Sequence, residues 1–129
     1  MLKNSRAFSS FAVRDLDAAR KFYTQTLGVD VSDVPGMKGV MQLSLAGGVK
    51  IFVYPKPDHA PAKFTVLNFP VDNVERAVDA LVERGVRFEI YNDGPVKTNA
   101  KGIASEGQGP RIAWFKDPSG NILSVLEER

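Results

Sequence analysis

With 129 residues and no cysteine, the chain is long enough for one compact domain and has no means of forming a disulfide, a thiolate nucleophile or a thiolate metal ligand. This composition fits a reducing cytoplasm, the compartment we expect. The net charge is only +2, with Lys and Arg scattered among Asp and Glu, and no apolar run approaches the roughly 20 residues of a membrane span. We therefore expect neither a nucleic-acid nor a membrane partner.

The first half of the chain predicts a strand, a helix and three further strands. Residues 6–13 are predicted to form the first strand, and Asp15 to cap the helix by accepting a free amide hydrogen of its first turn. Gly28 suits the left-handed conformation that ends a helix. The apolar stripe of this helix is Leu16, Ala19, Phe22, Tyr23 and Leu27, and the later strands are predicted at about 29–34, 39–45 and 49–54.

The same order of elements restarts after a proline-rich connector at 55–61. Asn73 is predicted to cap a second helix, and Gly85 to end it. The inward residues of that helix are predicted to be Val74, Ala77, Val78, Leu81 and Val82, and the strands are placed at about 63–71, 86–91, 111–116 and 122–126. Pro118 and Gly120 predict a tight turn between the last two strands.

The two halves repeat one unit. Val13-Arg14-Asp15-Leu16 recurs as Val71-Asp72-Asn73-Val74, and each half reads as strand, helix and three strands. We predict an α+β fold with two tandem βαβββ modules, at about 6–54 and 63–127, within a single domain over 1–129. Two such modules can curl their sheets into one cup with the helices outside.

Short motifs in both halves resemble those of the vicinal oxygen chelate superfamily, which contains glyoxalase I, extradiol dioxygenases, fosfomycin-resistance enzymes and bleomycin-resistance proteins. The motifs are Asp15-Leu16, Phe22-Tyr23, Leu27-Gly28, Phe69-Pro70-Val71-Asp72 and Phe115-Lys116-Asp117-Pro118-Ser119-Gly120-Asn121. The resemblance covers nearly the whole chain. It implies the cup fold, and a homodimer or paired modules, but it says little about activity because the fold hosts unrelated chemistries.

Metal-dependent members of that superfamily carry His and Glu on cup-facing strand positions. The resemblance places those four positions at Phe8, Phe52, Val66 and Ser124 in this chain. A borderline cation needs imidazole, carboxylate or thiolate donors, which Phe and Val lack, and a lone Ser hydroxyl is a poor ligand. We therefore expect no metal, no other cofactor and no catalytic residue.

The cup lining follows from alternation along the strands once Phe8 is taken to face inward, as the resemblance implies. Small-molecule pockets commonly have a mostly apolar and aromatic lining with a few polar groups. Alternatively, these side chains fill the cup as core; Trp114 favours a pocket, because a buried indole N–H needs a partner. The predicted ligand-binding residues are Phe8, Ser10, Phe52, Tyr54, Val66, Asn68, Trp114 and Ser124.

Two features outside the predicted lining each allow two interpretations. His59 is the only histidine and lies in the connector, where it is either a solvated loop residue or a rim residue touching ligand. The loop over residues 93–110 either folds over the cup mouth or is a surface loop.

Three functions are compatible with these observations. The first is a metal-independent binding protein for an apolar, aromatic small molecule. The second is a metal-dependent enzyme of the glyoxalase or dioxygenase type with a displaced metal site, which the lack of suitable donors disfavours. The third is an interaction module with a filled cup, whose function lies in its dimer surface. For the first of these we expect a homodimer.

Overall fold

The computed structural model describes residues 1–105 and 109–127, and the chain divides into two compact units, Met1–Ala60 and Pro61–Arg129. The first unit contains β1 (Ser9–Val13), α1 (Leu16–Lys21), β2 (Asp30–Val34), β3 (Met37–Ser44) and β4 (Lys50–Pro55). The second contains β5 (Thr65–Pro70), α2 (Val74–Glu83), β6 (Ile103–Ala104), β7 (Ile112–Lys116) and β8 (Ile122–Leu126). A π-helical turn, Phe22–Thr26, continues α1, and a 3₁₀ turn, Ala46–Gly48, precedes β4.

In the first unit, α1 covers one face of a four-stranded sheet with the order β1-β4-β3-β2. The predicted cap is confirmed, since the Asp15 carboxylate accepts a hydrogen bond from the amide of Ala18 at 3.1 Å. Ala19 and Tyr23 are buried on the inner side of α1 and the following turn. The fully buried sheet residues of this unit are Val13, Met41, Leu43 and Val53.

The second unit repeats this architecture with the strand order β5-β8-β7-β6. Asn73 caps α2 by accepting from the amide of Arg76 at 2.9 Å, and the buried Val74 and Val78 face the core. In both units the first strand pairs in parallel with the last, and the remaining strands pair antiparallel. The tandem βαβββ organisation and the α+β class are thereby confirmed, whereas curling of the two sheets into one cup stays a prediction.

The strand predicted at 86–91 is wrong. Phe88 forms only an isolated bridge to Phe115, and Tyr91 turns away to exchange hydrogen bonds with Thr98. The edge of β7 is instead completed by β6, which pairs Ile103 with Ala113. Phe88 and β6 therefore share one edge of β7, and local periodicity does not reveal this pairing.

The prediction that Val82 of α2 faces the core is also wrong, since this side chain is 52% exposed. At about 100° per residue, a position eight residues after Val74 has drifted about 80° around the helix. Neither helix of the described residues has the length and hydropathy needed to cross a membrane.

The tight turn between β7 and β8 is confirmed and contains a polar centre that we did not predict. Gly120 has a φ of +86° and donates its amide hydrogen to the Asp117 carbonyl at 3.0 Å. The Asp117 side chain, 4% exposed, accepts hydrogen bonds from the amides of Ser119 and Asn121 at 2.9 and 3.0 Å. Its second oxygen accepts from the Asn121 side-chain amide at 2.9 Å. This carboxylate organises the turn.

Candidate functional site

Four of the predicted ligand-binding residues lie on one face of the first sheet, opposite α1. Ser10 pairs with Phe52 in the register of β1 and β4, and Tyr54 follows two residues later on the same face. The Phe8 ring reaches Phe52 with a centroid separation of 4.5 Å. Gln42, which pairs with Phe52 from β3, belongs to the same face and was missed. Only the strand register reveals it, since no motif marks the residue.

Three further predicted residues lie together on the second sheet. The β8 residue Ser124 pairs with Asn68 of β5 on one side and with Trp114 of β7 on the other. Ser124 is fully buried, and its hydroxyl donates a hydrogen bond to the Asn68 side-chain oxygen at 2.5 Å. The Ser124 hydroxyl is therefore occupied by a protein partner.

Val66 does not follow the alternation on which its placement rested. A bulge interrupts the β5–β8 register between Thr65 and Leu67, so Val66 has no cross-strand partner there. Thr65 instead lies beside Trp114, and its hydroxyl accepts the indole Nε1–H at 3.1 Å. A bulge of this kind leaves no trace in the pattern of apolar residues, so Thr65 was overlooked.

A cleft of about 270 Å³ opens beside Trp114. The Tyr91 ring packs edge-on against the indole with a centroid separation of 5.7 Å, and Phe64, 68% exposed, forms another wall. The other lining residues are Lys63, Thr65, Asp93, Pro95, Val96 and Ile122. The cleft thus combines three aromatic rings with one cationic and one anionic side chain.

The loop over residues 93–110 contributes its first part to this cleft through Asp93, Pro95 and Val96. Its later part contains β6, and residues 106–108 lie outside the described part of the chain. The prediction that the whole loop covers a cup mouth stays a prediction.

His59 lies in the connector and is partly exposed, so neither interpretation of its role is decided. Its Nε2 atom is buried and has no hydrogen-bond partner among the described residues. Its carbonyl oxygen accepts a hydrogen bond from the Arg14 guanidinium at 3.3 Å. A role at the rim of a ligand site stays a prediction.

The residues at the metal positions of related enzymes do not fit a metal ion. Phe8 and Phe52 offer only rings, which contact each other, and the Ser124 hydroxyl is bound to Asn68. Over residues 1–105 and 109–127, no group of three or more His, Cys, Asp or Glu side chains is arranged to hold a cation. We therefore derive no chemical step through a metal.

Comparison with protein families gives a match over residues 7–125 to the Glyoxalase/Bleomycin resistance protein/Dioxygenase superfamily. The match spans both units and includes every predicted site residue. The comparison with curated proteins returned no match.

Several solved structures share the fold. TnmS3, described as an antibiotic binding protein from Streptomyces sp. CB03234, has 25% identity and a TM-score of 0.67, with 98% of each chain covered. A glyoxalase/bleomycin resistance protein from the same organism has 26% identity and a TM-score of 0.61, covering 94% of this chain and 100% of its own. The hypothetical protein SA1046 from S. aureus has 18% identity and a TM-score of 0.68, covering 98% and 99%, and supports the fold alone.

Proposed function

Because the chain belongs to the Glyoxalase/Bleomycin resistance protein/Dioxygenase superfamily, we propose that it is a metal-independent binding protein for an apolar, aromatic small molecule. The proposal depends mainly on one observation, the aromatic cleft of the second unit. Trp114, Tyr91 and Phe64 line it, and the indole N–H is already hydrogen-bonded to Thr65. The ring faces therefore remain for stacking on a ligand without a buried donor left unpaired.

The dimensions of the cleft favour a ligand of two or three fused rings. An apolar cavity of about 150 Å³ is known to bind benzene, so the cleft's volume of about 270 Å³ suits a larger planar molecule. Lys63 and Asp93 are of opposite charge and both lie in the lining, so the cleft has no net preference for a charged ligand. A neutral aromatic is the class that this lining favours.

Independence from a metal is supported by the chemistry of the side chains. The Ser124 hydroxyl already donates to Asn68, and Phe8 and Phe52 have no donor atoms for a cation. The similarity to TnmS3, an antibiotic binding protein, supports binding rather than turnover as the activity. Which compound is bound does not follow from that similarity.

The proposal is tested with 2-naphthamide as a neutral planar probe. Trp114 is the only tryptophan, so its fluorescence reports directly on this cleft. We expect saturable quenching, and a rise in melting temperature with probe concentration because binding stabilises the folded state by mass action.

A matched pair of variants locates the binding. Phe64→Ala removes an exposed ring from the cleft and is expected to weaken binding about tenfold, whereas Met37→Ala, an exposed apolar residue on β3, should have no effect. Equal binding by Phe64→Ala and wild type, or no quenching at all, would contradict the proposal. Metal analysis of protein purified without chelator provides a second test, and a stoichiometric divalent ion would refute metal independence.

We also propose that the chain forms a homodimer. Val82 of α2 and the neighbouring Ile90 are large apolar residues that are about half exposed, and they provide surface that a second copy would cover. Light scattering is expected to give twice the monomer mass of 14.1 kDa. A monomer at micromolar concentration would refute this proposal without affecting the binding function.

A further inference from the structure

The first unit contains a second cleft, and its lining shares no residue with that of the cleft beside Trp114. It has a volume of about 510 Å³ and lies at the start of β1 and β4, on the sheet face opposite α1. Its floor is formed by Phe8 and Phe52, and Gln42 of β3 lies at one side. Arg6 and Lys50 also line the cleft.

The aromatic floor is open to solvent. Phe8 is 61% exposed although its ring lies 4.5 Å from that of Phe52, so much of its surface lacks a protein partner. The two rings are tilted by 44°, which forms a shallow apolar surface rather than a closed core. Covering the exposed part of such a ring removes apolar surface from water, so a planar ligand gains by lying on it.

The charges around this floor are of one sign. Arg6 and Lys50 line the cleft, and none of its lining residues is acidic. In the part of the chain that the structure describes, neither cation has a carboxylate at ion-pair distance. On the same face of the sheet, Asp30 lies two strands from Lys50, with Ser44 of β3 between them. Two strand spacings of about 4.8 Å separate the two backbones, and the two side chains form no ion pair.

The composition of the whole first unit reinforces this local field. Residues 1–60 contain eight Lys and Arg against five Asp, with no Glu. An anion approaching the cleft is therefore attracted both by the two lining cations and by the surrounding charge.

We propose that this cleft binds an anionic planar aromatic molecule, such as an aromatic carboxylate, whose ring covers Phe8 and Phe52 and whose anion contacts Arg6 and Lys50. The site differs from the cleft beside Trp114 in its lining residues and in the charge that it selects. It therefore does not rest on the function proposed for that cleft.

The test is a titration of ¹⁵N-labelled protein with 2-naphthoate, followed through the backbone amides of Lys50 and Phe52. Saturable shifts of these amides are expected, and the affinity should fall as salt is added because exposed charges are screened. The neutral isostere 2-naphthamide should bind this cleft about tenfold more weakly.

Variants separate charge from apolar contact. The double variant Arg6→Gln/Lys50→Gln is expected to lose about tenfold in affinity for 2-naphthoate, with no change toward 2-naphthamide. Lys38→Gln removes an exposed cation of β3 that does not line the cleft, and it should bind 2-naphthoate like wild type. Phe8→Ser should weaken binding of both probes.

Several results would overturn the inference. One is equal affinity for the charged and neutral probes. Another is a loss of affinity for 2-naphthoate in Lys38→Gln as large as that in the double variant, and a third is chemical-shift changes confined to the Trp114 indole. Shifts of the Lys50 amide that depend on protein concentration without ligand would show that a second copy covers the cleft, and would overturn it too. Quenching of Trp114 by 2-naphthamide is a separate measurement with a separate variant, Phe64→Ala, so failure of either proposal can be told from failure of the other.

Discussion

Replacing Asp117 by alanine is predicted to destabilise the protein strongly, although the residue lies in a turn. The carboxylate is 4% exposed and accepts three hydrogen bonds of 2.9–3.0 Å, from the amides of Ser119 and Asn121 and from the Asn121 side chain. Both amide groups are in buried residues, so Asp117→Ala removes the acceptor that these N–H groups use in the native turn.

The magnitude follows from those unpaired groups. Leaving a buried donor unsatisfied costs about 1–3 kcal/mol, and water entering the space left by the side chain recovers part of that cost. We therefore expect Asp117→Ala to lower the free energy of unfolding by about 3 kcal/mol, a large fraction of the 5–15 kcal/mol typical of a domain. Asp117→Asn keeps one acceptor oxygen and should lose roughly half as much.

Urea unfolding provides the assay, with a lowered midpoint and an unchanged dependence on denaturant. Asp33→Ala is the matched control, because it removes an exposed carboxylate whose only described partner is Arg20, and it should cost less than about 1 kcal/mol. If Asp117→Ala lost no more stability than Asp33→Ala, the argument that this carboxylate organises the turn would be wrong.

Three further predictions concern the second unit. Gly102→Ala should lower the free energy of unfolding by about 2–3 kcal/mol, because its φ is +86° and a Cβ there would lie 2.9 Å from that of Phe88. Thr65→Val should cost about 1 kcal/mol by removing the acceptor of the indole N–H and should change the tryptophan fluorescence. The hydrogen bond to Asp79 raises the pKa of Lys101 above its ordinary value of 10.5. The stabilisation from Lys101 is therefore complete below pH 10.5 and is lost as pH rises through the higher folded-state pKa. The difference in urea midpoint between wild type and Lys101→Met should accordingly become smaller as the pH is raised above 10.5.

Each of these predictions has a control. Gly36 also has a positive φ, +79°, but a Cβ there would meet nothing within 4 Å, so Gly36→Ala should cost only the backbone strain of about 1 kcal/mol. Thr65→Ser keeps the hydroxyl and should retain the wild-type fluorescence. Lys38→Met removes an exposed lysine that forms no ion pair among the described residues, and it should lower the urea midpoint less than Lys101→Met does below pH 10.5. Equal losses at the two glycines, or a Lys101→Met gap that widens at high pH, would contradict the reasoning.

Local signals in the sequence were enough to predict the repeated unit. Asp15 and Asn73 cap their helices as expected, because a cap requires only a side chain and an amide three residues later. Gly28 and Gly85 adopt the positive φ that ends each helix, which again depends on one residue's own conformational freedom. Alternation along the strands likewise grouped Ser10 with Phe52, and Asn68 with Ser124.

Contacts between distant residues decided the rest. The edge of β7 is shared between β6 and a single bridge from Phe88, because strand pairing is settled by competition between segments that the chain brings together only on folding. The bulge at Val66 moved Thr65 beside Trp114, and the burial of Asp117 made a turn residue into a structural centre. Helix ends and strand faces are encoded within a few residues, whereas register, edge pairing and cleft lining depend on distant partners such as Asn68 and Ser124, 56 positions apart, and only the tertiary structure reveals them.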